Sequence, residues 1–443
     1  MDLNHRFRLD QNSIIALVGS GGKTTLMFQL AQDFGTRVIC TTSTHMALDQ
    51  LDAADHHWVL NDLDDLPDST EDLSGKVLLF TGPQVEENRV GSPAPELMEA
   101  LKILADTWNC PMIIEADGAR KLPIKAPAEH EPVIPEFVNI VITVIGLSGL
   151  GKPLTEEWVH RPELYSSLVD LPLGARLESE HLVKALISPQ GGLKNIPADA
   201  RKILLINQID SFPNWKTFYP QLNTLLANYS AVAFSVLEDQ MLLEVHERIV
   251  GIVLAAGGSS RFGEPKQLLD WFGKPMVKFV AEKVIAAGCS PVVVVTGADH
   301  DSVSQALDGV EVEIVCNTGW QIGQSSSIRV AIQSLPGDIG AAIFNLVDQP
   351  LIPVELIKEL MKKHARNPAP IILPTIDGKL ANPVLFDQRV FTELEKLEGD
   401  VGGRTLFDKY QPVTIPWDDL ASQVDVDTPE TYQKIRFANE AED

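Results

Sequence analysis

The chain has 443 residues, 44% of them hydrophobic, which is enough for packed cores in two or three domains. Its 36 Lys and Arg residues against 61 Asp and Glu residues give a net charge of −25. This excess of acid argues against nucleic acid as a partner and against an anionic membrane surface. Phosphate ligands stay compatible with it, because backbone amides and a few local cations hold them.

The N-terminal sequence MDLNHRFRLD lacks the apolar segment of a signal peptide, and no stretch reaches the roughly 18 apolar residues of a membrane span. The four cysteines are widely spaced and include no CxxC pair, so we expect small buried hydrophobic side chains rather than disulfides or a zinc site. They are Cys40, Cys110, Cys289 and Cys316. Together these features predict a soluble cytoplasmic protein.

Short β-rich apolar runs alternate with segments of helical period along the chain, which predicts an α/β protein with mainly parallel sheets. In the first half the predicted strands are 14–18, 37–42, 76–80, 112–116, 139–146, 202–207 and 231–236. In the second half they are 251–257, 291–297, 312–316, 341–347 and 371–374. Residues 241–250 are predicted to be helical, and residues 61–75 to be a solvated acidic loop.

Two of the predicted strands run directly into glycine-rich loops, near Gly19 and near Gly257. Each of these strand–loop units can bind phosphate and can begin a domain, so the sequence predicts two domains rather than one large sheet. We expect an α/β domain that begins with a P-loop at 1–247 and a Rossmann-like α/β domain at 248–443. The boundary falls within or just after the predicted helix at 241–250.

The first loop has the sequence GSGGKTT and lies between a strand and a predicted helix, which is the arrangement of a P-loop. Leu17 stands where the strict spacing has glycine, so this is the shorter G-x-x-G-K-T variant. We expect Lys23 to reach the β- and γ-phosphates and Thr24 to bind Mg²⁺. A helix merely capped after a glycine turn is the alternative. The predicted nucleotide-binding residues are Gly19, Gly21, Gly22, Lys23, Thr24 and Thr25.

Acidic and amide residues follow two later strands of the first domain. Glu115 and Asp117 come at a strand end, the place for a metal-linked carboxylate or an acid that orients water. The sequence NQID at 207–210 resembles the guanine-reading Asn-Lys-x-Asp element of GTPases, with Gln208 in place of Lys. ATP and GTP therefore both remain candidates for this domain.

Residues 14–210 resemble the accessory protein of selenium-dependent molybdenum hydroxylases. The stretches that carry the resemblance are VGSGGKTTLMFQLA, TTSTHM, IEADGARKLPIKAPAEHEPVIP (114–135), GLSGLGKPL (146–154) and VHRPE (159–163). The basic-then-acidic segment at 114–135 is much more specific than the glycine loop. The resemblance implies nucleotide binding in the maturation of a molybdenum hydroxylase client, and it leaves the reaction and the involvement of selenium open.

The strongest signal in the chain is LAAGGSSRFGEPK at 254–266. A buried strand ends at Ala255, and the small residues after it let backbone N–H groups approach a triphosphate. Arg261 and Lys266 supply positive charge where pyrophosphate leaves. A structural Gly-Ser turn is the alternative, but the Arg, the Pro-Lys pair and the strand occur together. The predicted nucleotide-binding residues here are Leu254, Ala255, Ala256, Gly257, Gly258, Ser259, Arg261 and Lys266.

Two later segments complete this predicted site. A strand runs into Asp348, which places a carboxylate at the carboxyl end of the sheet, and such an oxygen ligand suits Mg²⁺. In the segment DVDTPE, Asp425 and Asp427 are candidates for a further ligand, and Asp427 is favoured. Capping of the last helix by Asp427 or Thr428 is the alternative. The predicted catalytic residues are Arg261, Lys266 and Asp348.

Residues 251–435 are similar to the molybdenum cofactor cytidylyltransferases, within the nucleotidyltransferases that activate sugars, isoprenoid precursors and the molybdenum cofactor. The motifs are VVVVTG (292–297), Asn317 with GQSSSIR (323–329), LVDQP (346–350), NPVLF (382–386), GDVGGR (399–404) and DVDTPE (425–430). GQSSSIR and GDVGGR discriminate within the wider group. Relatives that attach GMP usually carry Leu-Ala-Gly-Gly at the loop, so Leu-Ala-Ala-Gly here favours CTP.

The resemblance implies in-line attack by the terminal phosphate of molybdopterin on the α-phosphorus of CTP. The attacking oxygen is already anionic, so no general base is needed. Ser325 and Ser326 are predicted to donate hydrogen bonds to nucleotide or pterin, with N-capping as the alternative. Relatives commonly have His where Asn382 stands, which leaves the acceptor open. The predicted acceptor residues are Asn382, Gly402, Gly403 and Arg404.

Three functions follow from these observations. The first is Mg²⁺-dependent transfer of CMP from CTP to molybdopterin, with the N-terminal domain assisting maturation or insertion of the molybdenum cofactor. The second keeps the reaction class but uses a sugar or isoprenoid phosphate as acceptor, or GTP as donor. The third is a cofactor-carrying chaperone for a molybdenum hydroxylase, in which turnover is incidental.

Overall fold

The computed structural model of the chain describes residues 2–67, 73, 76–258 and 262–440. The chain divides into two units, Met1–His246 and Glu247–Asp443. Both are built of mixed helices and strands with mainly parallel sheets, as the alternation of apolar runs predicts. Of the predicted acidic loop at 61–75, Leu63–Asp65 forms a short 3-10 turn, and residues 68–72 and 74–75 lie outside the described residues.

The N-terminal unit contains fourteen described strands and six described α-helices. The strands are β1 Ile14–Gly19, β2 Val38–Thr42, β3 Met46–Ala47, β4 His56–Val59, β5 Val77–Thr81, β6 Gln84–Glu86, β7 Arg89–Val90, β8 Met112–Glu115, β9 Ile124–Lys125, β10 Ile140–Gly146, β11 Val159–His160, β12 Arg201–Asn207, β13 Ala231–Val236 and β14 Met241–Glu247. The helices are α1 Leu3–Arg6, α2 Lys23–Asp33, α3 Pro95–Trp108, α4 Pro162–Val169, α5 Ser179–Leu186 and α6 Leu222–Leu226.

Nine of these strands form one sheet in the order β14-β13-β12-β10-β1-β8-β2-β5-β4. The pairs around β1 are parallel, with β8 on one side and β10 on the other. Alternate side chains of β1 enter two different cores, because successive residues of a strand point to opposite faces. Ile15 and Leu17 belong to one core, and Ile14 and Ala16 to the other. Burial on both faces explains the nearly continuous apolar sequence of these strands.

The predicted helix at 241–250 is wrong. Residues 241–247 form β14, which lies beside β13 at the end of the sheet, and β15 begins at Ile249. The apolar residues of this segment fit either period, so its local sequence does not decide between helix and strand. The unpaired backbone groups at the edge of β13 favour an adjacent strand, and that pairing overrides local propensity.

The C-terminal unit contains ten described strands and six described α-helices. The strands are β15 Ile249–Ala255, β16 Asp270–Trp271, β17 Lys274–Pro275, β18 Val292–Thr296, β19 Glu313–Cys316, β20 Ala341–Leu346, β21 Ile371–Ile376, β22 Lys379–Leu380, β23 Val384–Asp387 and β24 Val413–Pro416. The helices are α7 Met276–Ala286, α8 His300–Ala306, α9 Gln324–Gln333, α10 Val354–Arg366, α11 Phe391–Leu394 and α12 Pro429–Glu440.

The main sheet of this unit has the order β19-β18-β15-β20-β23-β21-β22, with β24 paired to β21. The strands from β19 to β20 are parallel, whereas β23 runs antiparallel to both of its neighbours. The carboxyl ends of β15 and β20 therefore meet at one edge. The glycine-rich loop follows β15 at this edge, and Asp348 follows β20.

Three of the four cysteines are buried, as expected, but Cys316 is exposed. It ends β19, which lies at the edge of the sheet and has mostly exposed side chains. The periodicity of a short strand does not show whether the strand is central or at an edge, so this exposure could not be anticipated. Within the described part of the chain, no helix has both the length and the apolar character needed to cross a membrane.

Gly251 sits in β15 directly beneath α7 and should not tolerate a larger side chain. A Cβ atom there would lie 2.1 Å from Cγ1 of Val284 and 3.0 Å from Cβ of Cys289. Overpacking of a buried position typically costs about 1–3 kcal/mol. We expect Gly251→Ala to destabilise the C-terminal unit by about this amount in calorimetric unfolding. Gly337→Ala, where a Cβ meets no atom within 4 Å, is the control and should leave the transition unchanged.

Candidate functional site

The glycine-rich loop after β15 forms one wall of a cavity of about 550 Å³. Seven of the residues that the sequence assigns to one site line this cavity: Leu254, Ala256, Gly257, Gly258, Lys266, Asp348 and Asp427. Ala255 is the buried last residue of β15 and does not line it. The predicted residues Ser259 and Arg261 lie outside the described residues. The cavity therefore joins the loop to carboxylates that come about 90 and 170 residues later in the chain.

The ammonium group of Lys266 lies between two carboxylates. Its Nζ atom donates to Oδ2 of Asp348 at 2.9 Å and to Oδ1 of Asp427 at 2.8 Å. Burial disfavours the charge, but the hydrogen bonds from Lys266 to the two carboxylates outweigh burial and raise the pKa of its ammonium. Asp348 thus lies on the same side of the sheet as the glycine loop, and the three side chains surround one point.

The two carboxylates around Lys266 fit a magnesium ion. Asp348 and Asp427 supply hard oxygen donors, which Mg²⁺ prefers, and they already converge on one cation. In the part of the chain that the structure describes, no group of three or more His, Cys, Asp and Glu side chains could hold a metal by itself. An ion here would take its remaining ligands from water and substrate phosphate, which is the usual arrangement for Mg²⁺.

Two residues that sequence reasoning missed hold the glycine loop in place. Gln267 is 2% exposed, and its Nε2 atom donates to the carbonyl oxygens of Ala255 at 3.0 Å and Gly257 at 2.6 Å. The indole of Trp320 covers Gly258, where a Cβ atom would lie 2.9 Å from the ring. Gln267 follows Lys266 directly, so its position next to the loop motif was the available signal. For Trp320 the sequence contained no such signal.

The serines at the start of α9 differ from the prediction. Ser325 and Ser326 are buried, and their hydroxyls donate to backbone carbonyls of Gly399 and Gly323 instead of facing the cavity. Ser327, the next residue of the same motif, lines the cavity. Asn317 donates to the hydroxyls of both Ser326 and Ser327, at 2.8 and 2.9 Å. The rotation of the helix about its axis decides which serine is presented, and the sequence alone does not define that rotation.

A second cavity, of about 480 Å³, adjoins the first. All four predicted acceptor residues line it: Asn382, Gly402, Gly403 and Arg404. The two cavities share Leu254, Gln324 and Leu346. The floor of the second cavity is apolar and aromatic, with Phe344 and Phe386 packed edge to face at 5.6 Å. Its rim carries side-chain amides and a guanidinium group.

Neighbouring residues divide between the two cavities. Asp348 lines the first and Gln349 the second, while Asp427 lines the first and Asp425 the second. Gln349 donates to Asp425 at 2.6 Å and accepts from Asn382 at 3.0 Å, so the three side chains form a connected rim. Burial, together with the charges of Asp348 and Asp427, raises the pKa of Asp425. Asp425 is therefore held by an amide, whereas Asp427 faces the ammonium of Lys266.

The motif at 399–404 lies between the cavities. Asp400 lines the first cavity and accepts from the backbone N–H of Gln324 at 3.2 Å. Gly402 to Arg404 line the second. The last segment, 425–430, also has its capping role, because the hydroxyl of Thr428 accepts from the backbone N–H of Thr431 at the start of α12. Both discriminating motifs, 323–329 and 399–404, thus build the common wall.

In the N-terminal unit, β1 leads through a glycine turn into α2. Gly19, Gly21 and Gly22 have positive φ values of 95°, 80° and 133°, which side chains with a Cβ rarely adopt. The backbone N–H of Gly19 donates to both oxygens of Asp117 at 3.1 and 3.0 Å. The ammonium of Lys23 donates to the carbonyl of Gly19 at 2.7 Å and lies 3.2 Å from Asp117. Asp117 therefore holds the turn and its lysine.

Glu115 occupies the position that the sequence predicts for a metal-linked acid. The hydroxyl of Thr24 donates to its Oε2 atom at 2.8 Å, and Lys23 lies 3.9 Å from its Oε1 atom. Burial raises the pKa of Glu115, although the charge of Lys23 opposes the shift. Thr25, also predicted to bind nucleotide, is exposed in the first turn of α2. A hydroxyl and a carboxylate side by side at the turn suit an ion bound with phosphate.

A buried chain of alternating charges continues from Asp117. Lys125 donates to Asp117 at 2.8 Å and to Glu131 at 3.0 Å, and Arg161 donates twice to Glu131, at 2.7 and 3.0 Å. Burial opposes ionisation of Glu131, but hydrogen bonds from Arg161 and Lys125 lower its pKa to about 2. Burial and the charges of Arg161 and Lys125 lower the pKa of His160 to about 4. Sequence reasoning assigned no role to these residues.

Each of the two units is similar to a known protein family. Residues 15–163 match the family described as YqeC protein. The uncharacterized protein YqeC of Escherichia coli (strain K12) is 36% identical over 210 residues, which cover 46% of this chain and 78% of that protein. The chain belongs to the YqeC family. The chain carries a further domain, because residues 251–413 match the MobA-like NTP transferase domain. Its C-terminal unit is accordingly a nucleotidyltransferase domain.

Two further relatives match the C-terminal unit. Nicotine blue oxidoreductase of Paenarthrobacter nicotinovorans is 29% identical over 204 residues, covering 42% of this YqeC-family chain and 96% of that protein. The crystal structure of Rv0371c from Mycobacterium tuberculosis H37Rv superposes with a TM-score of 0.39. The match has 26% sequence identity and covers 42% of this chain and 97% of the Rv0371c chain.

The buried charge chain makes the stability of the N-terminal unit depend on pH. The lowered pKa of Glu131 means that its contribution is complete above about pH 4.5 and is lost as the pH falls towards 2. Glu131→Gln removes the carboxylate that Arg161 contacts twice and leaves Lys125 with Asp117 alone, so we expect a loss of about 3–5 kcal/mol at neutral pH. Between pH 4.5 and 2 the variant should also lose less stability than the parent protein in chemical unfolding.

Glu129→Gln is the matched control, because Glu129 is exposed two residues earlier. Its stability should follow that of the parent at every pH. If Glu131→Gln instead unfolds like the parent at neutral pH, Glu131 does not stabilise the fold through these ion pairs.

Proposed function

We propose that the C-terminal unit transfers CMP from CTP to the terminal phosphate of molybdopterin and releases pyrophosphate. One observation carries this proposal: two adjoining cavities share a wall built from the motifs at 323–329 and 399–404, with Lys266 and its two carboxylates in one of them. A reaction that joins a nucleotide to a second substrate needs two such pockets side by side.

The first cavity suits the nucleotide. Gly257 and Gly258 line it without side chains, which lets a phosphate approach the backbone closely, and Lys266 supplies a cation for the phosphates. An acceptor phosphate oxygen forms the new bond to the α-phosphorus while the bond to the β-phosphate breaks. Lys266 stabilises the charge that develops on the pyrophosphate. Mg²⁺, when bound by Asp348 and Asp427, supplies further neutralisation of the triphosphate.

The second cavity suits a flat phosphorylated heterocycle. Phe344 and Phe386 offer an aromatic floor, and Gln349 and Asn382 provide hydrogen-bonding groups at the rim. Arg404 can pair with a phosphate group through two N–H donors. A sugar phosphate would leave its hydroxyls against the apolar floor without partners, which is costly. Molybdopterin therefore fits better than a sugar phosphate.

The phosphate-transfer chemistry is inferred from the site and not from the fold, because one fold hosts different reactions. One relative carries the name of an oxidoreductase. The cluster of Lys266, Asp348 and Asp427 favours transfer of a nucleotidyl group, since a cation beside two magnesium-type ligands suits a polyphosphate.

For the N-terminal unit we propose binding of a magnesium nucleoside triphosphate at residues 19–25, in support of cofactor maturation or insertion in a molybdenum hydroxylase. The positive φ values of the glycines and the pairing of Thr24 with Glu115 support this assignment. The fusion to a nucleotidyltransferase domain supports a joint role in one cofactor pathway.

Removal of one carboxylate tests the C-terminal site. Asp348→Asn keeps the size of the side chain but removes the charge, so we expect pyrophosphate release from CTP and molybdopterin with Mg²⁺ to fall by about 10²–10³-fold. Asp308→Asn, at an exposed position outside both cavities, is the control and should retain full activity. Undiminished turnover by Asp348→Asn would contradict this site, and a strong preference for GTP would reassign the donor.

Replacement of Arg404 tests the acceptor cavity separately. Arg404→Gln removes a charged partner of the acceptor phosphate, so we expect KM for molybdopterin to rise by about tenfold or more, with little change in KM for CTP. Arg366→Gln, at the end of α10 and outside both cavities, serves as control. A rise in the KM for CTP alone would place the nucleotide, and not the acceptor, beside Arg404.

A further inference from the structure

Asn207, the last residue of β12, holds the glycine turn of the N-terminal unit. Its Nδ2 atom donates to the carbonyl oxygen of Gly21 at 2.7 Å. Its Oδ1 atom accepts from the backbone N–H of Leu237 at 2.9 Å and from the hydroxyl of Ser235 at 3.1 Å. One side chain therefore ties the turn to the carboxyl ends of both β12 and β13.

The order of strands separates the two sides of this turn. β8, with Glu115 at its end, pairs with one edge of β1, whereas β10 and then β12 follow on the other. Thr24 contacts Glu115, so the phosphate end of a bound nucleotide belongs on the side of β8. Its nucleoside then extends towards the end of β12, where residues 207–210 lie.

Gln208 lies against the back of the turn. It has a φ of 59°, and its Oε1 atom accepts from the hydroxyl of Ser148 at 2.7 Å. A Cβ atom on Gly146 would lie 2.2 Å from this oxygen, and a Cβ on Gly21 would lie 2.5 Å from the nitrogen of Gly146. The absence of side chains at both glycines lets Gln208 approach Gly146 and lets Gly146 approach the turn, so the stem of Gln208 lies one residue layer from the turn and can flank a planar base.

Asp210 comes two residues later, in the short 3-10 turn Ile209–Ser211, and its side chain is exposed. Within the described part of the chain, its carboxylate receives no hydrogen bond from another residue. We propose that Asp210 reads the base, and that the N-terminal unit takes guanine nucleotides and not adenine nucleotides. This inference rests on the proposed nucleotide site at residues 19–25.

The chemistry of the bases supports guanine. A carboxylate accepts hydrogen bonds only, and guanine presents two adjacent donors, N1–H and the 2-amino group, that match its two oxygens. Adenine has an acceptor at N1 and no 2-amino group, so it cannot pair with both oxygens of the carboxylate at this edge. The amide of Asn207 is occupied by Gly21, Ser235 and Leu237, and the amide oxygen of Gln208 by Ser148, which leaves Asp210 as the discriminating residue.

Calorimetric titration of the full chain with GDP and ADP, in Mg²⁺ and excess CTP to fill the C-terminal cavity, tests the preference. We expect GDP to bind about 10- to 100-fold more tightly than ADP, which is the discrimination of one two-point contact. Lys23→Ala should abolish this binding, which assigns it to residues 19–25. Melting temperatures of all variants verify that they fold.

Asp210→Asn provides a gain of function that an unfolded variant could not show. Asparagine presents a donor and an acceptor, which match xanthine, whose 2-oxo group replaces the 2-amino group of guanine. We expect GDP affinity to fall by about 10- to 100-fold and XDP to become the preferred ligand. Asp199→Asn, an exposed carboxylate of the same unit, is the matched control and should keep the GDP preference.

These measurements test the guanine assignment of Asp210 separately from the nucleotide site at residues 19–25. Binding that depends on Lys23 but favours ADP, or is unchanged in Asp210→Asn, overturns the guanine assignment and leaves nucleotide binding intact. Lack of any binding that depends on Lys23 overturns the proposed nucleotide site, and the assignment of Asp210 with it.

Discussion

In each unit a lysine ammonium lies between two carboxylates at the carboxyl edge of a parallel sheet, next to a glycine turn. Lys23 lies near Glu115 and Asp117, and Lys266 contacts Asp348 and Asp427. Partly buried charges are costly without partners, so each lysine and its acids must be placed together. This requirement constrains the turn, the strand ends and the cavity beside them.

The sheets explain how residues distant in sequence reach these points. Parallel strands end at a common edge, so Asp348 and Gln349, which follow β20, lie at the same edge of the sheet as the glycine loop that follows β15. Asp348 faces one cavity and Gln349 the adjoining one, and Asp427 and Asp425 divide between the two cavities in the same way. One edge of one sheet therefore supplies separate pockets for a nucleotide and for its acceptor, a short distance apart.

In the N-terminal unit the network of charged residues pairs buried side chains in the interior, and it also holds the glycine turn at the proposed nucleotide site. Asp117 receives hydrogen bonds from the glycine turn and from Lys125, and Lys125 continues to Glu131 and Arg161. Part of the unusual sequence of the segment 114–135 is thereby explained, because its residues Asp117, Lys125 and Glu131 pair with each other in the interior. A movement of the glycine turn would therefore displace Asp117 and, through it, the ion pairs of Lys125 with Glu131 and of Glu131 with Arg161.

The sequence by itself determined twelve of the described strands, both glycine turns and the placement of Asp348 after a strand, because apolar periodicity and turn residues are local properties. Only the tertiary structure decided that residues 241–247 form a strand, that Ser327 faces the cavity in place of Ser325, and that Cys316 is exposed. These features depend on pairing at a sheet edge and on the rotation of a helix. Both result from contacts between distant segments, which no local pattern encodes.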